Sequence, residues 1–264
     1  MPSIIVESAF MSNQDDLALL MDDDFIVKLA QKICDSALEV LNASAESEII
    51  QPKTAETTEG TFLGKTVIFS TGANPRQLGL PGERELTGRG VNYCAACDGM
   101  FYKGKTVVVV GGGNSAAADA GMLTRIAKKV YLIHRRDSLR ATQIYHKPLL
   151  EAPNIRFVWD SEVAPLLGED VLEGILVRNL KNGTLQKLEV QGLFISIGRK
   201  PATGLVKDQL TLDSAGYIMA GEDTKTDIPG VYAVGDVRTK ELRQIVTAVA
   251  DGAMAAHVAE QELA

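Results

Sequence analysis

Between residues 24 and 41 the apolar side chains Ile26, Leu29, Ile33, Ala37 and Val40 recur at the spacing of one helical face. Phe25 and Leu41 flank them, and the pattern predicts a single amphipathic helix. Its stripe reads as core or as a partner surface. Residues 42–59 are polar and rich in Ser, Thr and Glu, and are expected to form a loop or linker. At Gly60 the texture changes. Three short apolar runs now end in glycine: residues 66–72 with Pro75 following, residues 193–198 with Pro201 following, and residues 231–235. Buried parallel strands that lead into a ligand crevice look like this, although ordinary strand ends give the same pattern. The repetition predicts an α/β protein with two related dinucleotide-binding, Rossmann-like units.

Composition sharpens that break. All 24 glycines lie at Gly60 or later, and residues 1–59 hold twelve acidic against three basic side chains, a net −9 in a chain of −7 overall. The length and the 45% hydrophobic content allow one large or two ordinary domains. An acidic chain gives no support to nucleic-acid binding. The longest apolar runs are strand-sized, and the start has neither a basic leader nor a long apolar core, so a soluble cytoplasmic protein with no membrane partner is expected. The three cysteines, two of them within four residues, are not the even, dispersed set of a secreted disulfide scaffold.

The strongest local signal starts at Lys105. Residues 105–110 read as a strand, Gly111-Gly112-Gly113-Asn114-Ser115-Ala116 fits the pattern G-x-G-x-x-A, and residues 115–129 are alanine-rich and helix-compatible. In that context Gly111 allows a tight turn, Gly113 lets backbone N–H groups approach a pyrophosphate, and Ala116 lets helix and strand pack closely. The helix N-terminus adds partial positive charge. Alone, the pattern fits a plain tight turn as well. Residues 129–133 then read as a strand running into His134-Arg135-Arg136-Asp137-Ser138-Leu139-Arg140, where an NAD enzyme usually presents a carboxylate. Arginines at that end suit the 2′-phosphate of NADPH, because guanidinium forks bind phosphate that a carboxylate would repel. A solvated charge run is the plain alternative.

Cys94-Ala95-Ala96-Cys97 lies just before this strand, with Asp98-Gly99 following. The spacing brings two thiols within bonding reach on one turn, so the pair can cycle between dithiol and disulfide. Half of a zinc site is the competing reading, but the other candidates, Cys34, His134, His146 and His257, make no matching pair. No metal is expected.

Cys-Ala-Ala-Cys-Asp-Gly-Met-Phe-Tyr, Gly-Gly-Gly-Asn-Ser-Ala, His-Arg-Arg-Asp-Ser-Leu-Arg-Ala and Val-Gly-Asp-Val, in this order, resemble the low-molecular-weight thioredoxin reductases, flavoproteins of the pyridine nucleotide-disulfide oxidoreductase family. The resemblance runs from about Thr66 to the C-terminus. It implies electron flow from NADPH to FAD, on to the Cys94/Cys97 disulfide and then to thioredoxin, in a homodimer. By similarity Cys97 faces the flavin, Cys94 attacks the partner's disulfide and Asp98 exchanges protons with them. It also implies NADPH binding at Gly111, Gly113, Asn114, Ser115, Ala116, His134, Arg135, Arg136 and Arg140. FAD binding is implied at Thr71, Gly72, Gly235, Asp236, Arg243 and Gln244. The runner-up enzyme is the flavoprotein reductase of a peroxiredoxin, against which His134-Arg135-Arg136 argues.

Members of that family begin with a second glycine-rich fingerprint, for the ADP part of FAD, whereas no glycine precedes Gly60 here. Gly111 and Gly198 stand 87 residues apart, but only 71 residues precede Gly72, so a complete first unit does not fit. The expected organisation is therefore an atypical segment over 1–59, a remnant FAD-binding domain over 60–76 and 201–264, and an NADPH-binding and redox-disulfide domain over 77–200. Three classes follow: a reductase that uses FAD, an NADPH-binding module without turnover, and a non-catalytic partner completed by another chain. The 264 residues by themselves are expected to bind NADPH and to hold FAD weakly or not at all.

Overall fold

The computed structural model describes residues 53–58 and 60–264. The helix expected over 24–41, and Cys34 within it, lie outside them. The chain divides into two compact units, one formed by 73–200 and the other, among the described residues, by 53–72 with 201–264.

The 73–200 unit is built on a five-stranded parallel sheet in the order Val91–Asn92, Gly192–Ile195, Thr106–Val110, Lys129–Ile133, Ile155–Val158. Its central strand runs from Thr106 through four consecutive valines, Val107–Val110. Such an unbroken apolar run is stable only where both sheet faces are covered, and both are. Val107 and Val109 pack with Ala116, Ala117, Ala120 and Leu123 of the helix Asn114–Leu123. Val108 and Val110 pack with Val163, Ile175, Val177 and Leu188 of a three-stranded antiparallel sheet, Ser161–Leu167, Gly174–Asn179 and Leu185–Glu189.

Two expectations need correction. The helix foreseen over 115–129 ends at Leu123, because the Asn154 side chain takes the carbonyls of Thr124 and Ala127 at 2.9 Å each and Lys128 N–H donates to Lys105 O at 2.8 Å. The chain is thereby turned into its next strand, and a helix end that spends its carbonyls this way cannot continue. The expected loop over 42–59 contains a strand, Lys53–Thr57, paired antiparallel with Gly60–Gly64. Every residue of Gly60–Gly64 is exposed, so this hairpin has no alternation of apolar and polar positions by which to be found.

In the other unit Val231–Ala233 pairs parallel with Val67–Phe69. Val231 and Ala233 face a core of Val206, Leu210, Ile218 and Val237, while Tyr232 and Val234 face Ala255, Val258 and Ala259 of the helix Ile245–Leu263. That helix opens with a capping box between Gln244 and Thr247. Among the described residues no helix is long and apolar enough to cross a membrane.

A buried ion cluster ties the helix to the turn after Val234. The Asp251 carboxylate accepts from Arg238 Nε and Nη2 at 2.8 and 2.7 Å, from Lys240 Nζ at 2.8 Å and from Gly235 N–H at 2.8 Å. Burial alone would raise the Asp251 pKa, but these donors hold it at about 2, below its ordinary 3.8. Asp251→Ala, which strands two buried cations, is expected to cost about 3–5 kcal/mol in denaturant unfolding. The carboxyl is depressed in the folded state, so its stabilisation is complete above its unfolded pKa and is lost as pH falls toward 2. Asp251→Asn should accordingly flatten the acid limb of the stability curve, and an unchanged limb would refute the assignment.

Candidate functional site

In the 73–200 unit the sheet fixes the cysteine segment from both sides. Ahead of it the edge strand Val91–Asn92 is buried, and Asn92 Nδ2 donates to Gly90 O at 3.0 Å and to Tyr102 Oη at 2.8 Å. Behind it Tyr102 packs edge-on against Phe194 at 5.2 Å, over Gly192, where a Cβ would fall 2.6 Å from the ring. Between these anchors Cys94 and Cys97 are joined in a disulfide. Cys94 is also the N-cap of the one-turn helix Ala95–Asp98, its sulfur accepting from Cys97 N–H at 3.1 Å. Cys97 is exposed, Cys94 half-buried and Ala95 fully buried.

Asp98 closes the turn, its N–H donating to Cys94 O at 3.1 Å. Partial burial raises its carboxyl pKa, which keeps a proton available nearer neutrality. On the other flank of the pair Tyr93 Oη donates to buried Glu83 at 2.8 Å, and burial with this carboxylate pushes the phenol up to about 12. Glu83 also accepts from the N–H groups of Leu78, Gly79 and Leu80.

The same unit carries the glycine loop, between the strand Thr106–Val110 and the helix Asn114–Leu123. Its glycines face different neighbours. Gly111 has φ +142°, and a Cβ there would lie 2.4 Å from Ser196 O and 2.7 Å from the Ala116 methyl. Gly113 caps the helix, has no side-chain capping bond, and meets nothing within 4 Å in its Cβ direction. The loop is therefore closed beneath and open above, with the first N–H groups of the helix left for an anion. Asn114 and Ser115 are exposed and Ala116 is buried. Asn114 Oδ1 accepts from Thr142 N–H at 2.8 Å.

Arg135, Arg136 and Arg140 are all exposed. Arg140 and Ala141 N–H both donate to Gly112 O, at 2.7 and 3.1 Å, which joins the arginine segment to the glycine loop. His134 is placed differently. It is 5% exposed and lies behind Gly112 with its Nε2 unpartnered, and its ring meets Trp159 edge-on at 6.4 Å. Burial first, and then the charges of Arg140, Arg136 and Arg135, lower its pKa.

The remaining expected positions lie in the other unit. Thr71 Oγ1 donates to Ala202 O at 2.8 Å, Ala202 N–H donates to Gly72 O at 2.9 Å, and Gly72 and Gly235 turn at φ +71° and +69°. Asp236 is half-buried in the turn Gly235–Val237, and Gln244 caps the long helix. The Arg243 guanidinium stacks 4.0 Å over the Tyr217 ring, with its Nε buried and unpartnered. Tyr217, Arg238, Lys240 and Arg243 line a cleft of about 680 Å³.

The sequence does not single out Tyr217, Arg238, Lys240, Asp251 or Glu83. The basic pair in Val-Gly-Asp-Val-Arg-Thr-Lys was a usable signal for two of them. Among the described residues no three of His, Cys, Asp and Glu come together as a metal site requires, and the Cys94 and Cys97 sulfurs are bonded to each other.

A disulfide, an open phosphate loop and an exposed arginine segment in one α/β framework define the class. Residues 11–252 match the pyridine nucleotide-disulphide oxidoreductase family. The chain belongs to that family, and within it to the low-molecular-weight thioredoxin reductases. It is 40% identical to a thioredoxin reductase of Peptoclostridium acidaminophilum over 88% of this chain and 74% of that protein. Against that of Streptomyces coelicolor it is 47% identical, over 80% and 66%. The crystal structure of the Streptococcus pyogenes thioredoxin reductase is similar with a TM-score of 0.74 and 44% identity, covering 83% of this chain and 70% of that one. The Giardia duodenalis enzyme gives 0.71 and 37%, covering 78% and 68%. The chain thus spans 66% to 74% of these relatives' lengths, and these likenesses bear out the α/β class with two Rossmann-like domains.

Proposed function

We propose that this chain carries the coenzyme-binding and disulfide-exchanging machinery of an NADPH-dependent thioredoxin-disulfide reductase that works with FAD. The observation that carries the reading is that one compact unit, 73–200, holds both the Cys94–Cys97 disulfide and the glycine loop joined to its arginine segment.

The described residues fit NADPH and the flavin end of FAD. Open space over Gly113 and three exposed arginines suit a dinucleotide with a 2′-phosphate, and the buried, unpartnered Arg243 Nε is a donor that a flavin carbonyl or phosphate oxygen would satisfy. When bound, NADPH and FAD supply the two electrons. The Cys94–Cys97 disulfide takes up two electrons and two protons to give two thiols. Cys94, as thiolate, then attacks one sulfur of the partner disulfide, forming a mixed disulfide and expelling the partner's other sulfur as a thiolate. Cys97, as thiolate, displaces the second partner sulfur, and the Cys94–Cys97 bond re-forms. Asp98, with its raised pKa, holds and returns the proton at the thiols. The 73–200 unit is the NADPH-binding and redox domain in this reading and the other unit the FAD-binding one. Thioredoxin is the partner, and the reductase is a cytoplasmic homodimer.

Titration of the purified chain with NADPH and NADH, followed by thiol release from oxidised thioredoxin, tests the proposal. Absence of a preference for NADPH would overturn it. The sequence has one G-x-G-x-x-A pattern, at Gly111–Ala116, and no glycine before Gly60, so no second glycine-rich cradle for a pyrophosphate is found among the described residues. FAD is therefore expected to remain with the protein at well below one equivalent after gel filtration, since each lost charged hydrogen bond is worth about 1.5–3 kcal/mol. A yellow protein with one flavin per chain, bleached by NADPH, would contradict that.

A further inference from the structure

The chain reaches Cys94 from a residue that is tied to a buried carboxylate. Glu83 is 3% exposed, and its oxygens are held by the loop ahead of it. Oε1 accepts from Leu78 N–H at 3.0 Å, and Oε2 from Gly79 and Leu80 N–H at 2.8 and 3.1 Å. The stretch that follows Glu83 is fastened in turn to the edge strand, since Val91 N–H donates to Leu86 O and Gly88 N–H to Val91 O, each at 3.0 Å. A fixed anion results, and the Tyr93 phenol donates to its Oε1 at 2.8 Å. That phenol, pushed up to about 12, keeps its proton throughout the physiological range, so the bond persists there. Asn92, one residue earlier, is bonded to Gly90 O and Tyr102 Oη. Two consecutive residues are thus pinned by their side chains, and Cys94 comes next, in extended backbone at φ −144° and ψ 105°.

We propose that Glu83 and Tyr93 are positioning residues for the redox pair: the carboxylate, through the phenol, holds the backbone at Cys94 so that the two sulfurs stay within bonding reach once the disulfide has been reduced. The inference rests on the disulfide exchange proposed above. In the disulfide the S–S bond itself keeps the sulfurs together, and the anchor adds little. In the dithiol that restraint is gone, and a fixed Cys94 keeps the effective concentration of each thiol about the other high. The anchor therefore favours the disulfide and lowers the reduction potential of the pair, which makes the dithiol a better reductant of a partner disulfide. Releasing the anchor gives the dithiol freedom that the disulfide cannot use, and the equilibrium moves toward the dithiol.

The test is equilibration of the full chain with dithiothreitol and its cyclic disulfide. The protein dithiol and the cyclic disulfide exchange for the Cys94–Cys97 disulfide and dithiothreitol, and the fraction reduced is read by acid quenching, alkylation and peptide mass spectrometry. Tyr93→Phe removes the link but leaves Glu83 its three N–H donors. It is expected to lower the equilibrium constant for disulfide formation by about threefold to tenfold, a potential less negative by about 15–30 mV. Glu83→Gln should move the potential in the same direction, and should add nothing in the Tyr93→Phe background, because the carboxylate acts through the phenol. A merely structural role would lower the unfolding midpoint and leave the potential unmoved. An unmoved potential in Tyr93→Phe, or shifts that add in the double variant, would overturn the inference and leave the exchange standing. If Glu83→Gln does not fold, the potential of Tyr93→Phe decides alone. A Cys94–Cys97 bond that dithiothreitol does not open in the native unsubstituted chain would overturn the exchange and the inference together.

Discussion

Cys94→Ser and Cys97→Ser should each abolish thioredoxin-linked turnover while leaving NADPH affinity within about twofold of the parent, since a Cys-to-Ser exchange is close to isosteric and neither residue belongs to the glycine loop or the arginine segment. Serine's hydroxyl is not a thiolate and forms no disulfide, so neither variant can store two electrons at this position. The only other cysteine, Cys34, is 60 residues away along the chain and has no C-x-x-C companion. The two variants should differ in kind. Cys97→Ser retains a half-buried Cys94 thiol that can still form a mixed disulfide with an oxidised partner, and that adduct should accumulate because the resolving sulfur is gone. Steady-state turnover and non-reducing electrophoresis with oxidised thioredoxin check both statements. Retention of normal turnover in either variant would remove the disulfide from the route.

Arg135→Ala combined with Arg136→Ala is expected to collapse the preference for NADPH over NADH. Both guanidinium groups are exposed at the C-terminal end of the strand Lys129–Ile133, and only NADPH carries the extra phosphate. A charge-assisted hydrogen bond is worth about 1.5–3 kcal/mol, so the ratio of the two dissociation constants should change by about tenfold or more for each contact removed. Salt should have the same sense of effect, weakening NADPH more than NADH as ionic strength rises. Equal losses for both coenzymes would show that the arginines act on the shared pyrophosphate or on the fold.

What could be read from the sequence was whatever a short stretch of chain fixes by itself. The strand Lys129–Ile133, the turn at Gly111 and the pairing distance of Cys94 and Cys97 depend on neighbours a few residues away, and each was legible. The end of the helix at Leu123 was not, because it is set by Asn154, thirty residues beyond Thr124. The antiparallel sheet over 161–189 escaped for a related reason. Its strand Leu185–Glu189 buries one residue in five, so its alternation is faint until Ile175 and Leu188 are seen facing the valines. His134 was grouped with the arginines that follow it, since nothing in a basic run shows which member turns inward. Arg238, Lys240 and Asp251 look like surface residues in sequence. Only the fold shows their side chains less than a tenth exposed.

The two hydrogen bonds that the Gly112 carbonyl accepts from Arg140 and Ala141 N–H bear on how fast a coenzyme is captured. The stretch from His134 to Ala141 is fastened at both ends, by His134 N–H to Val158 O and Arg140 N–H to Gly112 O, and midway by Asp160 N–H to Arg136 O. Its backbone is held by the protein's own hydrogen bonds, so a coenzyme bound here would have only the arginine side chains to order. Association with NADPH is expected to need no slow loop rearrangement, and the exposed arginines would speed its encounter with an anion.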